Sequence, residues 1–408
     1  MKNRRRALLL GLLALVVVAG AGLGWRFGED VYVRVLLESP GSGKCQHELT
    51  RPVLERSLAL GTKFLLAHQK PAGNFDYEYD WRERTFNDED NETRQAGALW
   101  GVSLLYQTNK TPELAAAVER GLAFFDEHSR AAGKVRCTVY PGSPVGHSGT
   151  IALLALAYIE YLRAEPPLTA EQRRLHEQRL DQYLEMLLAS VNVDGVWYGD
   201  YDIKSCKPRG EHSSYSDGEA LLALTKAAKY LGRRQYVGPV MLTAAAGKRI
   251  NIQQARAADA DSDVTKGYYQ WSSMAFYEIA TSDFPHAEDY PAAVLDLADW
   301  VIDVHQILTR NRNTGYAYEG IIHAYALAQK QKDAARAAKY GCVIDIGMQR
   351  LVGWQVGGPT PTRFTNTSTS DAKAIGGVQN SAYDAPLRID VTQHQMHATQ
   401  LALEYVYR

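Results

Sequence analysis

Apolar and polar residues along most of the chain recur with helical spacing, and two kinds of helical segment alternate. One kind is small or apolar on nearly all sides after a polar first turn, as in NETRQAGALWGVSLLY and YSDGEALLALTKAAKY. The other kind carries its charges on one face, as in TPELAAAVERGLAFFDEHS. A helix that is apolar all round is buried, whereas an amphipathic helix lies at a surface. The pattern therefore predicts buried and half-exposed helices in alternation.

The buried kind of helix recurs six times, and amphipathic helices lie between its copies. Repetition at a period of about 50 to 75 residues is typical of helical-hairpin repeats. We therefore predict an all-α fold in which twelve helices close into an (α/α)6 toroid of inner and outer helices, with a stacked solenoid of hairpins as the alternative. In a toroid the inner helices run parallel, so the loops that enter their N-termini meet at one end. The buried copies are NETRQAGALWGVSLLY, VGHSGTIALLALAYIEY, YSDGEALLALTKAAKY, GYYQWSSMAFYEIA, GYAYEGIIHAYALA and TQHQMHATQLALEYVY.

The N-terminus has the pattern of a membrane segment. Four basic residues precede an uncharged apolar run from Ala7 to Trp25, which is long enough to cross a bilayer, and the basic residues would stay in the cytoplasm. We predict a signal anchor or transmembrane helix over 1–27, a linker over 28–50 and the toroid domain over 51–408. The protein would then be a single-pass protein of the cytoplasmic (inner) membrane with its C-terminal domain in the periplasm. A cleaved signal peptide is the alternative, because the small residues 19–21 offer a cleavage site.

Composition and charge narrow the class of protein. The chain has 408 residues, 46% of them hydrophobic, which is enough to bury a large core. Its 45 basic and 46 acidic residues nearly cancel, so nothing favours a nucleic-acid partner. The four cysteines include no C-x-x-C pair, and we predict no metal site and no cofactor. In an oxidising compartment Cys137 and Cys206 are candidates to bridge two loops, with sparse buried thiols as the alternative.

Recurrent elements of the chain, RQAGALW, SDGEALLAL and RIDVTQHQMHA, resemble the (α/α)6 toroid superfamily over Arg51–Arg408. This superfamily includes unsaturated glucuronyl hydrolases, toroid domains of polysaccharide lyases and uronate epimerases, and more distantly terpene cyclases. The resemblance to its carbohydrate-active, six-hairpin glycosidase-like branch implies a bowl at the N-termini of the inner helices, lined by carboxylates and aromatic residues. The cyclase branch is less well matched, because DADSD (Asp259–Asp263) is the only counterpart of its aspartate-rich motif. A solvated loop is the simpler interpretation of that stretch.

Carboxylates at the starts of the buried helices are the candidates for chemistry. Ser216 and Glu219 fit the S-x-x-E capping box, and Asp217 suits the positive end of the helix dipole. If the toroid forms, Glu319 lies at the level of Asp217, and an acid and a base around one bowl suit glycosidic cleavage or proton abstraction beside a uronate carboxylate. We predict Asp217 and Glu319 as the working pair, with a role as helix starters as the alternative. The predicted catalytic residues are Asp217, Glu319, Asp390 and His394.

Other polar residues are expected to bind substrate. Arg94 on an apolar helix needs an anionic partner, which is either an internal carboxylate or a carboxylate of the substrate. His147 is either a general base or a hydrogen-bonded structural residue. His394 and His397 lie three residues apart, but no third ligand supports a metal. The predicted substrate-binding residues are Arg94, His147, Tyr79, Trp81, Trp197, Tyr268, Trp271, Tyr318 and Arg388.

Aromatic residues occur in nearly every loop that enters a buried helix, as in NFDYEYDW, GVWYGDY and GYYQW. Tyrosine and tryptophan offer flat faces to sugar rings and polar tips to hydroxyls, although the same rings would also fill the mouth of a toroid. NFDYEYDW alternates with period two, which also predicts a strand that pairs with VWYGDYD. The segment Gly353–Asp390, rich in Gly, Thr and Ser, is predicted to be an extended loop across the open end and to act as a lid.

Together these patterns predict a membrane-anchored, extracytoplasmic protein that binds and cleaves or remodels a cell-envelope or exported polysaccharide, with hydrolysis ahead of lyase or epimerase chemistry. Its expected partners are a polysaccharide or oligosaccharide substrate and, through the N-terminal helix, the membrane. A non-catalytic glycan-binding or scaffold component of an envelope assembly or export system is the alternative. A terpenoid cyclase is the third class.

Overall fold

The computed structural model of the protein describes residues 49–310, 312, 315–362, 364–365 and 369–408. The predicted anchor at 1–27 and almost all of the predicted linker at 28–50 lie outside the described residues. Within the described part, no helix is both long enough and apolar enough to cross a membrane.

Helices and short strands alternate along this part of the chain. The helices are α1 (Arg51–His68), α2 (Glu92–Thr108), α3 (Pro112–Glu127), α4 (Ser148–Arg163), α5 (Ala170–Ala189), α6 (Ser214–Tyr230), α7 (Val237–Gly247), α8 (Ala255–Ala258), α9 (Asp263–Ala280), α10 (Pro291–Asp303), α11 (Gly315–Gln331), α12 (Ala334–Gly353) and α13 (Ile389–Tyr405). The strands are β1 (Glu78–Asp80), β2 (Thr85–Phe86), β3 (Ser129–Ala132), β4 (Val135–Thr138), β5 (Gly146–His147), β6 (Tyr198–Tyr201), β7 (Pro208–His212) and β8 (Pro386–Arg388). A π-helical turn at Lys248–Gln254 joins α7 to α8, so that they form one helical rod.

The inner helices close into a ring. Helix α2 packs on α4, α4 on α6, α6 on α9, α9 on α11, α11 on α13, and α13 returns to α2. An outer layer surrounds them, in which α3, α5, α7, α10 and α12 each pack on the inner helix before them and α1 packs on α13. The predicted (α/α)6 toroid is therefore confirmed, and the alternative of a stacked solenoid of hairpins is wrong.

The two kinds of helix have the burial that their patterns predict. Every residue of α4 from Ser148 to Leu162 is buried, because neighbouring helices cover all its sides. The outer helix α3 buries only one face, which includes Leu114, Val118 and Leu122. The inner helices thus form the core, and their N-terminal turns lie where the connecting loops meet.

The strands are short and lie mainly in the loops that enter the inner helices. Their sheets have the orders β2–β1–β8, β3–β4 and β5–β6–β7, all antiparallel. The predicted pairing of NFDYEYDW with VWYGDYD is wrong, because β1 pairs with β2 and β8 whereas β6 pairs with β5 and β7. A disulfide joins Cys137 of β4 to Cys206 in the loop between β6 and β7, as the sequence suggested for these two cysteines.

The segment predicted to be a lid, Gly353–Asp390, contacts the outer helix α1 at two of its described residues. The side-chain amide of Gln355 donates to the backbone oxygen of Ser57 in α1 at 3.0 Å. Gly376 has φ +92° and lies so close to the backbone of Leu60 that a Cβ there would collide with it. At Gln355 and Gly376 the segment therefore packs on α1, whereas Asn380 and Asp390 line the cavity described below.

Candidate active site in the toroid cavity

A cavity of about 1180 Å³ lies where the loops enter the inner helices. The first turns of α2, α4, α6, α9 and α13 all contribute to its wall, as expected for parallel inner helices. The titratable residues that line it are Arg94, His147, Asp200, Glu211, Tyr215, Glu219, Asp261, Asp263, Lys266, His305, Arg310, Arg312, Tyr316, Arg388, Asp390 and His394. The arrangement brings together groups that are up to 300 residues apart in sequence.

Glu219 is the buried acid of this cavity. It lies in the second turn of α6 with 5% of its surface exposed, and its carboxyl group has no hydrogen-bond partner among the described residues. The carboxyl group lies over Gly149 of α4, so a Cβ at that position would meet Oε2 and displace the carboxyl group. Burial raises the pKa of Glu219 to about 8, against a smaller lowering by the charge of His394. Glu219 is therefore protonated at neutral pH and is available as an acid.

The predicted capping box at Ser216 and Glu219 does not form. Helix α6 begins at Ser214 with Ser213 as its N-cap, so Glu219 is one turn further into the helix than the motif requires. The side chain of Glu219 therefore does not cap the helix and lines the cavity instead.

His394 lies in α13 on the cavity wall and is held from below by Glu319. Its Nδ1 is 3.2 Å from Oε1 of Glu319 and is aligned for a hydrogen bond. Nδ1 of His397 is 3.1 Å from the same oxygen, but out of line for a hydrogen bond. The side-chain amide of Gln270 donates to the other oxygen of Glu319. The Nε2 atom of His394 has no partner among the described residues, so it is the ring nitrogen left to act on a ligand.

Glu319 and the two histidines stabilise one another's charged forms. Burial opposes ionisation of Glu319, but the charges of His397 and His394 outweigh it and lower the pKa of Glu319 to about 2. Burial likewise disfavours the charged form of His394, but the carboxylate of Glu319 outweighs burial and raises the pKa of His394. Glu319 was predicted as half of a working pair that faces the bowl. It is fully buried and does not line the cavity, because its oxygens are used to orient the imidazole.

Asp390 lies on the cavity wall between two arginines. Arg388 donates to both of its oxygens, with Nε 2.9 Å from Oδ1, and Nε of Arg94 lies 3.3 Å from Oδ2. Burial opposes ionisation of Asp390, but the hydrogen bonds and charge of Arg388 outweigh it and hold its pKa below the usual value. Asp390 is therefore a paired carboxylate, and Arg94 has the internal partner that the sequence left open.

A second titratable cluster lies at the N-terminus of α4. The antiparallel pairing of β5 and β6 places His147 opposite Asp200, and their side chains meet with Nδ1 2.7 Å from Oδ1. The backbone N–H of His147 donates to Oε1 of Glu92 at 3.0 Å. Burial raises the pKa of Glu92 to about 7, while the charge of His147 and its N–H act in the opposite direction. Glu92 had no signal in the sequence beyond its place in the first turn of α2.

Asp217 has a structural role, which corrects its prediction as a cavity acid. It is fully buried and does not line the cavity. Its Oδ1 accepts from the backbone N–H of Trp197 at 2.9 Å, and its Oδ2 accepts from the side-chain amide of Asn251 at 2.7 Å. Both oxygens are thus used to join α6 to the residue before β6 and to the π-helical turn. Burial raises the pKa of Asp217 to about 6, although these two hydrogen bonds act against it.

Most of the aromatic residues that were predicted to bind substrate are buried in the packing of the protein instead. Trp271 lines the cavity, as predicted. The cavity lining does not include the other predicted rings, because each is buried among the helices and loops of the mouth: Tyr79, Trp81, Trp197, Tyr268 and Tyr318. The rings that line the cavity with Trp271 are Tyr215, which is 50% exposed, and Tyr316. The predicted binding residues Arg94, His147 and Arg388 also line it.

The aspartate-rich stretch is more ordered than a solvated loop. Asp261 accepts from Nδ1 of His305 and from Nη2 of Arg310, both at 2.7 Å, and all three line the rim of the cavity. The rim on this side is therefore a network of paired charges. No group of three or more potential ligands suited to a metal ion occurs among the described residues.

The solved structures that share this fold include several carbohydrate enzymes. No family model and no curated protein matches the chain. A D-mannose isomerase is similar with 13% identity and a TM-score of 0.60, over 87% of this chain and 98% of that one. An α-1,6-mannanase from Salegentibacter sp. has 10% identity and a TM-score of 0.60, over 87% and 99%. The cellobiose 2-epimerase of Bacillus thermoamylovorans has 10% identity and a TM-score of 0.59, over 86% and 98%. At these identities the likeness establishes the (α/α)6 toroid fold.

Proposed function

We propose that this protein binds a saccharide in the toroid cavity and remodels it by proton transfer, as an isomerase or epimerase does. The observation that carries the proposal is the carboxyl group of Glu219, which is buried, without a partner among the described residues, and placed on the cavity wall. A buried acid that is protonated at neutral pH suits a general acid, and His394, oriented by Glu319, suits the complementary base.

The lining of the cavity supports a saccharide as the ligand. Aromatic faces from Trp271 and Tyr215 lie among many charged and polar groups, a mixture that fits sugar rings with their hydroxyls better than a purely apolar ligand. The volume of about 1180 Å³ accommodates several sugar rings. The fold is shared with a mannose isomerase, a cellobiose epimerase and a mannanase, which is consistent with a sugar ligand.

The ion pairs that Asp390 forms with two arginines favour proton transfer over glycoside cleavage. A glycosidase needs a second carboxylate beside its acid, as a nucleophile or as a base for water. Asp390 is the candidate from the same wall, and it is kept ionised, but both of its oxygens contact arginines. Cleavage with Glu219 as acid and Asp390 as the second carboxylate is the alternative reaction.

The cellular setting of the proposal rests on other parts of the chain. The apolar run from Ala7 to Trp25 supports a membrane anchor, and the disulfide between Cys137 and Cys206 supports an oxidising compartment outside the cytoplasm. A cell-envelope or exported polysaccharide is the substrate that this setting favours. The alternative there is a glycan-binding scaffold without catalysis.

The experiment compares the full-length chain with two variants on a panel of neutral and acidic saccharides, with measurement of both isomerised and cleaved products. Glu219→Gln and His394→Gln should each lower product formation by about 100-fold or more while binding persists. Asp263→Asn is the matched control, because Asp263 lines the same cavity with its side chain 97% exposed. Binding without product in the wild type, unchanged in both variants, would contradict the proposal and favour the scaffold.

A further inference from the structure

One part of the cavity wall holds more positive than negative charge. Arg94 from α2 and Arg388 from β8 share the single carboxylate of Asp390, and all three line the cavity. Two guanidinium groups against one carboxylate leave one net positive charge, because arginine stays protonated in proteins. These three groups of the cavity wall therefore carry one net positive charge.

Both guanidinium groups also keep unused donors. Arg388 uses Nε and Nη2 on Asp390, and Arg94 uses Nη1 on the hydroxyl of Tyr77. Among the described residues, Nη2 of Arg94 and Nη1 of Arg388 have no hydrogen-bond partner. The side chain of Arg94 is 42% exposed, so its free nitrogen can reach a molecule in the cavity.

Tyr77 holds the two arginines side by side. The guanidinium carbons of Arg94 and Arg388 lie 5.7 and 5.9 Å from the centre of its ring. Glu78 is the other acid of this region. Its backbone pairs with Arg388, but its carboxylate accepts from Asn87 at 3.0 Å and does not line the cavity. The charge of Glu78 also acts on Arg388 and helps to raise its pKa, but Glu78 forms no ion pair with Arg388. The cavity side of this wall therefore presents two guanidinium groups and only the carboxylate of Asp390.

We propose that Arg94, with Arg388, binds a carboxylate group of the saccharide, so that the substrate class is an acidic, uronate-containing sugar. The planar fork of an arginine matches a carboxylate with two parallel hydrogen bonds, and a carboxylate supplies the single charge that the wall lacks. This inference rests on the proposed function, because it places the anionic group on a saccharide in the same cavity.

The test uses two oligosaccharides of equal length and linkage, one with a carboxylate and one with a hydroxymethyl group at the same carbon. Binding to the full-length chain is measured by calorimetry at low and high salt. The wild type should bind the acidic saccharide about 10- to 100-fold more tightly than the neutral one, which is the range for a hydrogen bond to a charged group. The preference should shrink at high salt, because part of the site is exposed.

Variants separate this site from the general charge of the cavity. Arg94→Gln should remove most of the preference and leave binding of the neutral saccharide unchanged, and Arg94→Lys should keep part of it. Lys266→Gln is the matched control from the same cavity. Lys266 lies 4.0 Å from its nearest carboxylate, that of Asp263, and its removal should leave the preference unchanged.

The outcomes distinguish this inference from the proposed function. Equal affinity of the wild type for both saccharides, with product still formed, would overturn the acidic substrate class and leave the proposed function standing. An equal loss of affinity for both saccharides in Arg94→Gln would also overturn it, because Arg94 would then stabilise the cavity wall without recognising the carboxylate. If neither saccharide binds and no product forms, the proposed function fails and this inference fails with it.

Discussion

Replacement of Glu219 by glutamine should change how the stability of the protein depends on pH. The pKa of this carboxyl group is about 8 in the folded protein against 4.5 in its ordinary state, because burial disfavours the charged form. A pKa that folding raises contributes stability that is fully present below 4.5 and is lost as pH rises to about 8. At about 1.4 kcal/mol per pH unit, the whole difference is worth about 5 kcal/mol of unfolding free energy. That is a large share of the stability of an ordinary domain, which is about 5 to 15 kcal/mol.

The assay is urea unfolding of wild type and Glu219→Gln at several pH values between 4.5 and 9. The wild type should lose unfolding free energy relative to the variant throughout this range, with most of the loss complete by about pH 8. Asp217 and Glu92 also have raised pKa values, but both proteins contain them and their contributions cancel in the comparison. Parallel pH curves for the two proteins would refute the claim that Glu219 is buried as a neutral acid.

Three further perturbations test the site and its support. Gly149→Ala places a methyl group against the carboxyl of Glu219, so product formation should fall at least about 10-fold with the fold retained by circular dichroism, and wild-type activity would contradict the close approach. Asp217→Ala leaves two buried donors without an acceptor, so the unfolding free energy should fall by about 2 to 4 kcal/mol while the folded protein keeps its activity. Loss of activity with an unchanged unfolding free energy would show instead that Asp217 takes part in catalysis. Replacement of Cys137 and Cys206 by alanine opens a loop with a sequence separation of 69, so the unfolding free energy should fall by about 4 kcal/mol, and an unchanged value would show that the disulfide constrains little.

The ring could be predicted from the sequence because burial leaves a direct trace in composition. A helix enclosed on all sides excludes charges, as α4 does, and an outer helix such as α3 keeps them on one face. The alternation of these two kinds of helix therefore predicted the number of helices. It also predicted the end of the toroid at which the polar residues meet.

The choice of acid could not be predicted in the same way. Asp217 and Glu219 are two residues apart on α6, so their side chains point about 200° apart around the axis and only one of them faces the cavity. The rotation of the helix decides which, and it is set by close contacts such as that of Gly149 with Glu219 and of Gly218 with Trp271. A single sequence does not reveal such contacts between distant segments.

The aromatic residues show the same limit. Tyr79 lies in a strand whose neighbour, β8, follows it by about 300 residues, and its hydroxyl donates to Asp371. The composition of the loop predicted aromatic rings near the mouth. Which rings face the cavity depends on strand register, on the rotation of each helix and on partners remote in sequence. Trp271 on α9 lines the cavity, whereas Tyr79 on β1 is packed beneath the surface.

The most direct test of proton transfer in the cavity is deuterium incorporation. The full-length chain is incubated in D2O with an acidic and a neutral saccharide, and carbon-bound deuterium is measured by mass spectrometry and NMR. The wild type should introduce deuterium at one carbon of the sugar, and His394→Gln and Glu219→Gln should lose this exchange together. Saccharide that is cleaved without carbon-bound deuterium, or exchange that survives in both variants, would contradict the account.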